Sequence, residues 1–122
     1  MSKYIDGFVV PIPREHLEEY QKVALQVGAI WKEYGAIEYR EWLGDDMILE
    51  GTKSFHKILD LSEADVVVFG WVVFPSKDVR DKANRAVPND PRMEGLVGPL
   101  INPTRVVFDV SQMFYGGFKQ LV

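Results

Sequence analysis

One acidic residue interrupts the first apolar stretch and is a candidate for acid–base chemistry. Asp6 is the one acid between Tyr4 and Val10, and strand alternation places it on the same face as Tyr4 and Phe8. A carboxylate on an apolar sheet is desolvated, which favours its protonated form and suits a general base. The alternative is a structural carboxylate at the rim of the sheet that accepts hydrogen bonds from backbone amides.

Glycines interrupt three segments that read as neighbouring strands: Gly7 in the first, Gly70 in the apolar run 66–74, and Gly116 with Gly117 in the last. Missing side chains in a sheet leave either a hollow or a place where a helix approaches closely. If two of these glycines share a face, they form the floor of a pocket with aromatic walls, which we expect to be Tyr4, Phe8, Trp71 and Tyr115. The alternative is a bulge at Gly116 and Gly117, with a helix packed closely over Gly70.

Three charged residues are further candidates for ligand binding. Asp45 and Asp46 follow Trp42 in a glycine-containing turn. Paired carboxylates can bind a hard cation or share a proton. The alternative is that these two adjacent acids are simply solvated. Arg92 lies beside a helix start at Asp90, where its guanidinium can clamp a substrate carboxylate or pair with Asp90. Trp42 is added to these candidates because it can line a ligand site next to the turn.

Composition excludes several classes of protein. The chain has no cysteine and two histidines, His16 and His56, without a third ligand at metal-site spacing, so we predict no metal and no cofactor. The net charge of -4, with acids and bases interspersed, argues against nucleic acid or an anionic membrane as a partner. Because no apolar run approaches a membrane span and the N-terminal stretch lacks the pattern of a secretory signal, we expect a cytoplasmic protein.

Hydrophobic spacing predicts the elements that position these residues. A stripe from Leu17 to Tyr34 at spacings of three and four predicts a helix of roughly five turns that ends at Gly35. A second helix is expected after Ser76 and a short third one after Asp90. The strands are expected at 4–10, 36–42, 66–74 and 112–121, with weaker strand patterns at 55–60 and 105–108 and an irregular segment at 43–54.

The order of these elements, βαββαβ, predicts one α+β domain over residues 1–122 with a ferredoxin-like antiparallel sheet. The run from Val66 to Phe74 carries no charge and no alternation, which is typical of a strand buried on both faces. Helices cover one face, and we estimate the other at about 400 to 600 Å². Covering that face contributes on the order of 10 kcal/mol per protomer, enough to compete with the cost of association. We therefore predict a homodimer with its two sheets facing each other.

Five short motifs in order resemble the YbaA-like family of bacterial proteins: 4–10 (YIDGFVV), 42–46 (WLGDD), 75–84 (PSKDVRDKAN), 90–93 (DPRM) and 115–118 (YGGF). The resemblance runs nearly end to end and implies a dimeric α/β barrel. The family is one of unknown function. Its wider superfamily includes cofactor-independent monooxygenases, isomerases and haem-dependent chlorite dismutases, so the implied fold alone does not fix an activity. The chain departs from the family pattern near Leu43 and between Gly98 and Val107, where it is longer.

Three hypotheses about function follow. The first is a dimeric protein that binds a small, partly aromatic organic molecule between sheet and helices. The second is a cofactor-independent monooxygenase or isomerase that uses Asp6 as base, with Trp42, Asp45 or Arg92 positioning the substrate. The third is a structural dimer without a ligand. A covalent hydrolase is disfavoured because neither Ser76 nor Ser111 has an adjacent histidine.

Overall fold

A computed structural model, which describes residues 2–59 and 61–122, has a four-stranded antiparallel sheet with the order β2-β3-β1-β4. The ferredoxin-like α+β prediction is confirmed, and within one chain the sheet is open rather than closed into a barrel. Helices α1 and α3 pack on one side of it. The main elements are β1 (Tyr4–Pro13), α1 (Leu17–Glu33), β2 (Glu38–Leu43), α2 (Phe55–Leu59), β3 (Asp65–Phe74), α3 (Lys77–Ala86), α4 (Pro91–Val97) and β4 (Phe114–Lys119).

Strand β1 continues through two prolines, beyond the predicted end at Val10. Its pairing with β4 stops at Val9, so its last residues have β3 as their one neighbour. The amide of Arg14 donates to Ala64 on the β3 side, at 2.7 Å. Because backbone groups alternate along a strand, Pro11 and Pro13 direct their nitrogens to the opposite, unpaired side. Prolines are therefore tolerated here without the loss of a ladder hydrogen bond.

Two weakly predicted strands are corrected. The segment from Phe55 is a single helical turn, α2, and Asp60 of the predicted strand lies outside the described residues. Leu59 is buried and Phe55, one turn earlier, packs edge-on against Phe69 of β3, a spacing that suits a helix.

The segment 105–108 is irregular because it has no strand partner. The amides of Val107 and Phe108 both donate to the carbonyl of Leu100, at 2.8 and 2.9 Å, which folds the segment back on the loop after α4. Strand β4 is also shorter than predicted, because its pairing with β1 covers only Phe114–Lys119. The predicted segment 112–121 therefore overestimated it at both ends.

The core is divided into two clusters on the helix side of the sheet. One holds Val10, Ile12, Tyr20, Val66, Val68, Leu100 and Val107. The other holds Ala36, Val72, Phe74 and Ala83. The two clusters pack against different halves of β3. They leave a space between them, over the middle of the sheet.

The predicted hollow at Gly70 is occupied by a neighbouring side chain. Phe8 is the cross-strand partner of Gly70, and a Cβ added at Gly70 would stand 2.2 Å from its ring. Gly70 is therefore required because the Phe8 ring lies over it, rather than to form a pocket floor or to admit a helix.

This contact gives a stability prediction. We expect Gly70→Ala to lower the free energy of unfolding by about 1 to 3 kcal/mol, the usual cost of overpacking a core. Gly95→Ala, in helix α4 with nothing within 4 Å of its added Cβ, is the matched control. It should stabilise the protein slightly, because alanine has the higher helix propensity. Urea unfolding of both variants checks this, and equal effects would contradict the packing account.

Candidate functional site

A cavity of about 440 Å³ lies between the sheet and the helices, in the space between the two core clusters. Helix α1 supplies one wall through Tyr20, Ala24, Val27 and Trp31. These residues belong to the stripe from which the helix was predicted. Three of the four are only partly buried, because they cover a cavity instead of packing directly on the sheet.

The opposite wall comes from the C-terminal third of the chain. Met93 and Val97 of α4 line the cavity, followed by Leu100 and Phe108. The ring of Phe108 stacks on Tyr20 with centroids 6.3 Å apart and planes 10° from parallel. The irregular segment that follows α4 thus forms part of the cavity wall, although its sequence gave no indication of this role.

Glu41 of β2 places a carboxyl group in the cavity wall. It lies opposite Gly70 in the sheet and accepts hydrogen bonds from the hydroxyls of Tyr20 and Tyr39, the latter at 2.5 Å. Burial raises the pKa of Glu41, and the two tyrosine hydrogen bonds only partly oppose that shift. No lysine, arginine or histidine in the described parts of the chain forms an ion pair with it.

Sequence reasoning missed Glu41, although a signal for it existed. In β2, Tyr39 lies on one face of the sheet and Glu38, Arg40 and Trp42 lie on the other. Continued by one step, the same alternation places Glu41 beside Tyr39 on the helix side of the sheet. An acid in phase with inward-facing residues is the pattern that identifies it.

Asp6 also lines the cavity, but both of its carboxylate oxygens are already engaged. Arg80 of α3 donates through Nε to Oδ1 and Oδ2, at 2.9 and 3.2 Å, and the hydroxyl of Tyr115 donates to Oδ1 at 2.7 Å. Arg80 lies over the ring of Tyr4, with 4.9 Å between Cζ and the ring centroid. A Cβ on Gly117 would collide with both Arg80 and Tyr4, which explains this glycine. Asp6 is therefore held in an ion pair and not at the rim of the sheet, while its proposed role as a base stays a prediction.

The sheet register shows that the predicted aromatic pocket was wrong in one of its walls. Phe8 and Tyr115 line the cavity, and Tyr4 lies beside Arg80 on the same face. Trp71 follows Gly70 directly in β3 and so lies on the opposite face of the sheet, where Trp42 packs against it with centroids 5.5 Å apart. Trp71 and Trp42 therefore cannot line the cavity with Phe8.

The remaining charged candidates lie outside the cavity lining. Asp45 and Asp46 are exposed in the loop after β2. Arg92 pairs with Asp90 at 2.9 Å, which is the alternative to a ligand clamp considered above. It also pairs with Glu33 of α1 at 2.9 Å. Hydrogen bonding from Arg92 holds the pKa of Asp90 well below its usual range. Any ligand role of Asp45, Asp46 and Arg92 stays a prediction.

The side of the sheet opposite α1 and α3 is apolar, and we call it the open face; α2 contacts it through Phe55, which packs on Phe69. In the isolated chain Phe69 is 40% exposed, Trp42 50%, Phe114 50% and Phe118 57%. Half-buried residues fill the space between them: Ile5, Val9, Trp71 and Val73. The open face has a polar margin at β2. Glu38 accepts a hydrogen bond there from Trp71 Nε1 at 2.8 Å and pairs with Arg40.

The described residues contain neither a metal-ligand cluster nor a membrane-spanning helix. No group of three histidine, aspartate or glutamate side chains there is arranged to hold a metal ion. No helix in that part of the chain combines the length and apolar composition needed to cross a bilayer.

Comparison with known proteins gives a consistent family match. A family model described as "protein of unknown function (DUF1428)" matches residues 3–109. The uncharacterized protein YbaA of Escherichia coli strain K12 is 34% identical over 120 residues, which is 98% of this chain and 97% of YbaA. YbaA of Shigella flexneri matches to the same extent.

Two solved structures share the fold at low sequence identity. A nipsnap family protein of unknown function from Agrobacterium tumefaciens superposes with a TM-score of 0.57 at 14% identity, covering 97% of this chain and 87% of the other. A dimeric ferredoxin-like protein from an uncultured marine organism gives a TM-score of 0.54 at 12% identity, covering 100% and 96%. At these identities the likeness concerns the fold alone.

Proposed function

The chain belongs to the DUF1428 family of proteins of unknown function, and from that premise we propose that it is a homodimer whose subunits each bind a small organic molecule in the cavity between sheet and helices. The ligand is partly aromatic, because rings make up much of the cavity wall. The open face is the dimer interface. Binding and dimerisation thus use opposite sides of one sheet.

The observation that carries the binding proposal is the cavity itself. Its volume of about 440 Å³ is within the range usual for ligand pockets, and its walls are mostly apolar with a few polar groups, as such pockets require. Most of its lining is apolar and only partly buried in the isolated chain. A bound molecule would remove that apolar area from water, which is favourable.

The homodimer proposal is supported by the open face. Large apolar side chains stand side by side across all four strands there, and an exposed apolar patch of this kind usually marks an interface. A second copy fits because the surface is flat and sheet-like, which allows two equivalent faces to pack about a twofold axis.

An enzyme that moves a proton, such as an isomerase, is the second candidate. Its specific support is Glu41, because a carboxyl group whose pKa is raised by burial is suited to general acid–base catalysis. This differs from the base predicted from the sequence, since Asp6 is already bound by Arg80 and Tyr115. Deuterium uptake by a bound carbon acid, lost in Glu41→Gln, would favour this candidate. The monooxygenase and the ligand-free structural dimer stay alternatives without a supporting contact of their own.

Filling the cavity tests the binding proposal. We expect Val27→Phe to weaken binding of neutral phenylpropanol at least tenfold, because the added ring occupies space that the probe needs. Isothermal titration calorimetry measures the effect. The matched control is Gln26→Phe, which puts the same ring on the exposed side of α1 and should leave the affinity unchanged.

Two outcomes would contradict the proposal. Either the wild type binds neither phenylpropanol nor its charged analogues, or Val27→Phe binds the probe as tightly as the wild type does. Circular dichroism of both variants ensures that a loss of binding is not a loss of fold.

A further inference from the structure

We infer that the ligand is an organic ammonium ion with an apolar body, and that Glu41 recognises its charge. This inference rests on the proposed binding function and adds the chemical class of the ligand. It follows from how the charges and rings of the cavity lining are arranged.

The charge of the lining is negative and only partly compensated. Asp6 and Glu41 are its two acids, and no lysine, arginine or histidine is among the residues that line the cavity in the described chain. The charge of Asp6 is matched by Arg80, which contacts it from α3. Glu41 has two tyrosine hydroxyls but no cation among the described residues, so its carboxylate charge is left for a ligand to neutralise.

The carboxylate of Glu41 has room for another donor. A carboxylate accepts about four hydrogen bonds, and the tyrosines take one position on Oε1 and one on Oε2. Glu41 lines the cavity, so a ligand in that space lies against this residue. An ammonium group has three donors and no acceptor, which matches an acceptor that is otherwise only half satisfied.

The rings of the lining favour the same charge. Six aromatic side chains border the cavity: Phe8, Tyr20, Trp31, Tyr39, Phe108 and Tyr115. The faces of aromatic rings carry negative potential and attract organic cations, above all where water is excluded. A carboxylate among aromatic side chains is therefore suited to a protonated amine and repels an anion.

Three probes of one shape and different charge test this inference. Phenylpropylamine is cationic at pH 7, phenylpropanol is neutral and phenylpropanoate is anionic. We expect the amine to bind at least tenfold more tightly than the alcohol, the usual effect of a hydrogen bond between charged groups, and the acid to bind more weakly than both. Calorimetry gives the affinities, and Trp31 fluorescence, measured in a variant with Trp42 and Trp71 replaced by Phe, reports contact with the lining.

The preference should depend on Glu41. In Glu41→Gln the amine is expected to lose at least tenfold in affinity while the alcohol changes by less than about threefold. The variant is expected to fold, because burial raises the pKa of Glu41 and the ionised form is therefore costly in the folded chain. Glu18→Gln removes the same charge at an exposed position of α1 and should leave all three affinities unchanged.

The outcomes separate this inference from the function on which it rests. If the alcohol or the acid binds as tightly as the amine, the ammonium inference is wrong and the binding proposal stands. If no probe binds, the binding proposal fails and the inference falls with it. The comparison of amine and alcohol in the wild type decides the question even if Glu41→Gln does not fold.

Discussion

Phe69→Lys is expected to convert the proposed homodimer to a monomer at micromolar concentration. Phe69 lies in β3, one of the two central strands, and packs edge-on against Trp71 on the open face. In a dimer with facing sheets it is buried near the middle of the interface, where single residues carry most of the binding energy. A lysine there would bury an unpaired ammonium, so we expect the dissociation constant to rise at least about a thousandfold. Sedimentation equilibrium measures the change.

Leu25→Lys is the matched control for this prediction. Leu25 is 78% exposed on α1, on the opposite side of the sheet from the open face, and the substitution changes size and charge in the same way. It should leave the wild-type dimer intact. A wild type that is already monomeric, or a Phe69→Lys variant that remains dimeric, would contradict the assignment of the open face as the interface.

Asp6→Ala is expected to lower the free energy of unfolding by about 3 kcal/mol, as is typical when one partner of a buried ion pair is removed. Asp6 is 5% exposed, and its loss leaves the largely buried Arg80 with Asp81 and Tyr115 as its remaining hydrogen-bond partners. Tyr115 loses its acceptor at the same time. The pairing with Asp81 keeps the effect at the lower end of the usual range for buried pairs.

A double-mutant cycle separates the ion pair from the packing of its members. Arg80→Met keeps most of the side-chain volume, so the double variant Asp6→Ala/Arg80→Met should be clearly less destabilised than the sum of the two single variants. Urea unfolding gives all three values. If the changes in the free energy of unfolding were strictly additive, Asp6 and Arg80 would not stabilise the fold through each other. Asp6 would then again be a candidate general base.

The fold could be predicted because its signals are local. The stripe of α1, the apolar run of β3 and the capping residues before α3 and α4 each specify an element within one short segment, and their order fixes the topology. The predictions failed where long-range contacts decide the outcome. Residues 105–108 became irregular because their amides found the carbonyl of Leu100, a partner that no local pattern identifies.

The site was predicted only in part, for two physical reasons. The first is strand phase: Gly70 and Trp71 are adjacent in β3 and must face opposite sides, so they could not share one pocket. The second is distance along the chain. The contact between Asp6 and Arg80 joins residues 74 positions apart, and nothing in either segment alone indicates that Asp6 will meet a cation.

The cavity was the feature least accessible to sequence reasoning. Tyr20, Ala24, Val27 and Trp31 have the spacing of a helix face that packs on a sheet, and that pattern is the same whether the helix covers a filled core or an open space. Whether space remains depends on how the segment after α4 closes over the sheet. That is a property of the whole packing arrangement rather than of the stripe.

Native mass spectrometry of the protein, purified from cells that make it naturally, tests the central claim most directly. The account predicts a complex of two copies that carries a retained amine, released on denaturation and absent from Val27→Phe purified in the same way. A single copy, or two copies with no retained molecule under conditions that preserve the dimer, would contradict it.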